Sequence, residues 1–148
     1  MKTLSLAVLV ASGPWLGAAP ARTPSRAPQT VTVVVSALAS TQAVVKLNFY
    51  NAADKFLQKN QHALHLEVKP AGKTEVSVPV ELAPGEWAVA LTQDTNNNDK
   101  LDKNMLGIPT EPYAFSNNVR PRMAAPKFEE CKFTVSGPGK VIAITTWN

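Results

Sequence analysis

Ten consecutive residues, Gln93-Asp94-Thr95-Asn96-Asn97-Asn98-Asp99-Lys100-Leu101-Asp102, carry the densest set of hard oxygen donors in the chain. Counted from Asp94, side-chain oxygens fall at positions one, three, five and nine (Asp94, Asn96, Asn98 and Asp102), and the Lys100 carbonyl supplies position seven. Donors at alternate positions can converge on one hard cation, and calcium takes about 6–8 such oxygens. The loop is therefore a candidate calcium site, with an affinity on the order of 10⁻⁴–10⁻³ M if it behaves as other extracellular modules do. It is not an EF-hand: Asp99 stands where that loop needs Gly, and Met105 where it needs a bidentate Glu. Any further carboxylate would come from Asp99 or Glu111. The competing reading is a plain turn, because Asn and Asp accept left-handed backbone and bond their own main chain.

A second set of candidates follows in the same loop. Glu111, Tyr113 and Phe115 could present a ligand or partner surface, although Glu111, between Pro109 and Pro112, could equally cap backbone amides. Asp94, Asp102 and Glu111 could in principle supply paired carboxylates for a hydrolase. No complete nucleophile, metal or phosphate motif accompanies them, so a non-catalytic module is the favoured reading and a carboxylate-dependent hydrolase the alternative. Cys131 with His62 or His65 would make a thiol dyad. However, Cys131 begins a stretch that reads as core, where a free thiol is usually inert, and the two histidines read as surface groups. Trp87 alternates with Val89 and Leu91 and belongs to the core by period.

These residues need a scaffold, and the chain alternates with period two throughout. Strands are expected over Thr30–Ser36, Gln42–Tyr50, Leu64–Val68, Val76–Glu81, Trp87–Leu91, Phe133–Val135 and Val141–Trp147. Turn residues separate them at Pro70-Ala71-Gly72, Ala83-Pro84-Gly85 and Gly137-Pro138-Gly139. Pro79 lacks an amide donor, which places its strand at a sheet edge. Only Ala52–Ala63 reads as helical. Seven short alternating strands imply an all-β, two-sheet antiparallel sandwich. Residues 94–126 have no clear period and exceed the about 12–15 residues of an ordinary loop. Met105, Leu106, Ile108, Tyr113, Phe115 and Met123 are too many apolar groups for a disordered tail, so an ordered lobe folded back on the sandwich is expected.

The N-terminus reads as a cleavable export signal: Lys2, an apolar run from Leu4 to Val10, a Gly13-Pro14 break, and Ala19-Pro20-Ala21 with the cut after Ala21. The run is shorter than the about 20 residues of a membrane span, so no span is expected after cleavage. Residues 22–29 form a Pro-rich linker, and 30–148 the β domain. The expected location is periplasmic or extracellular, with an unknown protein or small ligand in the cell envelope as partner. With Cys131 as the single cysteine, no intramolecular disulfide can form. The formal net charge of +4 is mild and scattered. Its one local concentration, Arg120, Arg122, Lys127 and Lys132, is interrupted by Glu129 and Glu130, which argues against nucleic-acid binding.

One block is specific. Leu82 to Asn118, running from Pro84-Gly85 through the Asp/Asn loop to Gly107-Ile108-Pro109-Thr110-Glu111 and Phe115-Ser116-Asn117-Asn118, resembles domain-of-unknown-function family 2141. Pro126-Lys127-Phe128-Glu129 continues the resemblance, which covers the whole mature domain in order. The chain departs from the family pattern with Trp87 in place of Tyr, Asp99 and Ala114 in place of Gly, and Cys131 in place of Ala. The resemblance implies an exported bacterial β-sandwich of the immunoglobulin-like or prealbumin-like kind, and no particular activity.

Overall fold

A computed structural model describes residues 27–147. The expected leader and residues 22–26 of the linker lie outside that range. Eight strands follow in order: β1 (Gln29–Ser36), β2 (Val44–Tyr50), β3 (Leu64–Val68), β4 (Val76–Leu82), β5 (Gly85–Asp94), β6 (Tyr113–Phe115), β7 (Phe133–Val135) and β8 (Lys140–Thr145). The first sheet has the order β4-β1-β8 and the second β3-β2-β5-β6, with β7 also paired to β5. The two sheets form the expected all-β sandwich. β6 is the strand beyond the seven expected, and three residues are too few to show a period.

Alternation decides which side chains face the sandwich interior. Val31, Val33 and Val35 of β1, with Ile142 and Ile144 of β8, pack against Val45, Leu47 and Phe49 of β2 and Trp87, Val89 and Leu91 of β5. Each such burial contributes about 1.5–3 kcal/mol. β4 pairs with β1 alone, and Pro79 sits opposite Thr32 at that open edge, where its missing amide interrupts no second ladder. One pairing departs from the all-antiparallel expectation: β1 and β8 run parallel. Parallel neighbours need a long connection, and here nearly the whole domain lies between the two.

The expected helix over Ala52–Ala63 does not form. The segment is a chain of tight turns, with Lys55 N–H donating to the Ala52 carbonyl at 3.3 Å and Gln58 N–H to the Lys55 carbonyl at 3.0 Å. Left-handed backbone at Leu57 (φ 60°) and Asn60 (φ 58°) breaks any helix. Tertiary packing prevails over local propensity, because the segment lays Phe56 onto the outer face of the second sheet. There Phe56 makes edge-to-face contacts with Tyr50 (centroids 5.3 Å apart), Phe128 (5.9 Å) and Phe115 (6.4 Å). Phe128 and Cys131 arrive on a short helix, α1 (Phe128–Cys131), and Ala88 leaves room for them. The second sheet is thus buried on both faces at this end.

The Phe115-Ser116-Asn117-Asn118 segment ties the elements together. The Ser116 hydroxyl accepts from Val89 N–H (2.8 Å) and donates to the Cys131 carbonyl (2.6 Å), linking β5 to α1. The Asn117 carboxamide donates to the Glu130 and Lys132 carbonyls. Asn118 donates to the Ala143 carbonyl and accepts from Thr145 N–H, pinning β8. Both asparagines hold positive φ, 62° and 53°, which Asn tolerates better than most residues. Ser116→Ala leaves the Val89 amide and the Cys131 carbonyl without the hydroxyl in a fully buried site, so a loss of about 2 kcal/mol is expected in urea unfolding.

Candidate functional site

β5 delivers Asp94 to the end of the second sheet, opposite Val44 of β2, and the chain then turns at once. The Asp94 carboxylate closes that turn. Its Oδ1 accepts from Asn98 N–H at 3.1 Å and its Oδ2 from Asp99 N–H at 2.9 Å. The Lys46 ammonium, reaching along the outer face from β2, lies 2.8 Å from Asp94 Oδ2 and 2.9 Å from Asp99 Oδ1. Asp94 is only 2% exposed. The hydrogen bond from Lys46 holds its carboxyl below the usual carboxylate range; burial opposes this, and the two backbone amides reinforce it. For Lys46 burial pulls the pKa down, but the hydrogen bonds to Asp94 and Asp99 outweigh it and the net shift is upward. Asp99, in the place of a turn glycine, adopts φ 61° itself. The departure from Gly therefore leaves the turn intact.

The remaining loop oxygens also have partners. Asn96 Oδ1 accepts from Asn98 N–H (3.2 Å) and Asn98 Oδ1 from Lys100 N–H (2.9 Å). Both carboxamide nitrogens converge on the Asp102 carboxylate, Asn96 at 2.5 Å and Asn98 at 2.9 Å. Asp94, Asn96, Asn98, Lys100 and Asp102 thus form one closed loop. Among the described residues, no three His, Cys, Asp or Glu side chains group as a metal site. Lys46 is not among the candidates read from the sequence; its role as partner of the loop comes from the β2–β5 pairing, which sets it opposite Thr92 on the face that carries Asp94.

Glu111 is brought to the loop as a brace: it is 3% exposed, and its Oε1 accepts from Thr95 N–H at 2.9 Å. Its carboxylate faces the main chain and away from solvent. Phe115 is buried in the outer-face cluster, and Tyr113 is half-buried, stacked edge-on against Phe115 and Trp147. Cys131 is fully buried, and burial, helped by the nearby Glu130 charge, pushes its thiol up to about 12. The His62 and His65 rings lie 5.4 Å apart, and His65 Nδ1 is 2.7 Å from Asn48 Oδ1.

The lobe folds back only in part. Residues 101–109 make an arm closed by the Lys103–Pro109 bridge and by Asn104 N–H donating to the Ile108 carbonyl (2.9 Å). Gly107 turns its tip at φ 77°. Met105, Leu106, Ile108 and Met123 remain exposed, from 51% at Ile108 to 104% at Met105. Between this arm and the 121–126 segment lies a cleft of about 720 Å³. Its floor is the outer face of the second sheet: Asn48 and Tyr50 of β2, Ala90 and Thr92 of β5, and Tyr113 and Phe115 of β6. Leu101, Leu106 and Ile108 form one wall, and Met123 to Pro126 part of the other. None of Asp94, Asp102 and Glu111 lines it.

The model of the family described as "Uncharacterized protein conserved in bacteria (DUF2141)" matches residues 33–143. The chain belongs to this family. The DUF2141 match runs from within β1 to within β8, so it takes in the loop, both walls of the cleft and the Ser116–Asn118 junction. No curated protein and no solved structure matches the chain. The DUF2141 description names no activity, and the reading of function rests on the site itself.

Proposed function

We propose that this DUF2141 domain is an exported, non-catalytic module that binds an apolar ligand in the cleft between the 101–109 arm and the 121–126 segment. The observation that carries the reading is the cleft's composition. Four large apolar side chains, Leu101, Leu106, Ile108 and Met123, stand exposed around an aromatic floor at Tyr113 and Phe115. Apolar groups left in water beside a concavity of this size are the usual signature of a binding site. The alternative hydrolase reading needs carboxylates converging with aromatics. Here Asp94 pairs with Lys46, Glu111 braces backbone, and Asp102 holds two carboxamides, which supports binding over hydrolysis. A neutral apolar dye such as Nile red tests it. The purified protein should bind the dye with a fluorescence rise. Ile108→Asp, at a half-exposed position, should weaken binding tenfold or more with unchanged thermal unfolding. Absence of dye binding to the native protein would sink the reading.

A second reading, calcium stabilisation of the loop, is favoured by the winding of Asp94, Asn96 and Asn98, whose oxygens each accept a backbone amide and keep a second lone pair. A cation would share the loop with the Lys46 ammonium. Calcium at tenfold its Kd would add about 1.4 kcal/mol, or about 5 °C in a domain this size. That rise should disappear in Asp102→Ala. Equal melting in chelator and in millimolar calcium would overturn this second reading.

A further inference from the structure

The cleft has a polar neighbour. The 121–126 segment that walls it also walls a second hollow of about 380 Å³, and Pro121, Arg122, Ala124, Ala125 and Pro126 line both. The apolar cleft has two charged lining residues, Lys103 and Arg122, both cationic. The smaller hollow adds Arg120 and Lys127 against one acid, Glu130. That acid is already engaged: its carboxylate accepts from Lys127 N–H at 2.7 Å. Arg120 lies 5.0 Å over the Trp147 ring. Lys103, Arg122 and Lys127 make no ion pair among the described residues. An apolar trough and a basic hollow thus share one wall, and Arg122 lines both.

Resting on the cleft reading above, we propose that the ligand is a single-chain amphiphile with an anionic head, a free fatty acid, whose tail lies in the cleft and whose carboxylate meets Arg122. The juxtaposition fits such a molecule end for end: apolar walls for the tail, unpaired cations for the head, and no competing carboxylate facing the tail. A planar guanidinium matches a carboxylate in two parallel hydrogen bonds. The size of the cleft is that of a small-molecule site.

The test is displacement of bound Nile red from the purified chain by three twelve-carbon amphiphiles: dodecanoate and dodecyltrimethylammonium below their micellar concentrations, and dodecanol below its solubility limit. Dodecanoate should displace the dye at a concentration at least tenfold lower than the ammonium compound, with dodecanol between them. Arg122→Gln, at an exposed position, should remove most of that difference, with each competitor read against the dye affinity measured for the same variant. Equal displacement by all three, or a preference that survives Arg122→Gln, would overturn the fatty-acid assignment and leave the apolar cleft standing. Failure of the native protein to bind the dye would remove both. Cosedimentation with anionic phospholipid vesicles, together with no displacement by dodecanoate, would assign the surface to a membrane and overturn the proposal.

Discussion

Asp94→Ala should lower the stability of the domain by about 3 kcal/mol, the scale expected when one member of a buried ion pair is removed. The substitution strips the Lys46 ammonium of its closer carboxylate and leaves the Asp99 amide without its acceptor, while the Asn98 amide keeps only its bond to Asn96 Oδ1 at 3.2 Å. Asp99, whose side chain is 88% exposed, keeps Lys46 partly neutralised, but an exposed partner contributes little. The pH dependence has a definite sign. The Asp94 pKa in the folded protein lies below its ordinary 3.8, so its stabilising contribution is fully present above that value and is lost as pH falls through the depressed one. The Lys46 pKa lies above 10.5, so its contribution is complete below 10.5 and is lost as pH rises through the raised value. The gap between wild type and Asp94→Ala should therefore be constant from about pH 5 to about pH 9 and narrow towards about pH 2. Urea unfolding across that range measures it. A gap under about 0.5 kcal/mol at neutral pH would place the pair among surface ion pairs of little weight.

Phe56→Ala should cost about 3–4 kcal/mol, in the range of large-to-small aromatic truncations. Phe56 is 6% exposed and meets three other rings, Tyr50, Phe115 and Phe128. Its loss opens the outer face beside the cleft floor. Phe56→Leu, which keeps most of the apolar volume, should cost about 1 kcal/mol and preserve dye binding. If Phe56→Ala were as mild as Phe56→Leu, the turns at 52–63 would be a loose flap and the second cluster no real core.

How far the sequence could be read follows from the range of each signal. The inward faces of β1, β2, β4 and β5 were plain because period two is local: Val45, Leu47 and Phe49 alternate with Lys46 and Asn48 whatever the rest of the chain does. The edge position of β4 followed from the single residue Pro79. What failed was non-local. Ala88 and Ala90 were legible as small, but nothing nearby said that Phe56, Phe115 and Phe128 would converge over them from three separate segments. The same distance hid the helix error, since the turns at Leu57 and Asn60 exist to seat Phe56. The Asp/Asn loop was located by spacing. Its closure by Lys46 depends on the β2–β5 pairing, where Lys46 lies opposite Thr92, two residues before Asp94. Glu111 was recognised as special, and its burial against Thr95 N–H decides for the backbone-capping alternative. The apolar residues of the lobe were read as folding back, whereas Leu106 and Met123 stand out beside the cleft.

The outer face of the second sheet, framed by the lobe, is the face proposed to take the ligand. Amide chemical-shift mapping on the labelled protein titrated with dodecanol tests that placement most directly. Shifts should gather on Ala90, Thr92, Tyr113 and Phe115, on Leu106 to Ile108 and on Met123 to Ala125, and leave β4 and β8 unmoved. Shifts centred on the open β4–β1–β8 face, or spread evenly over the surface, would rule out the cleft as the binding site.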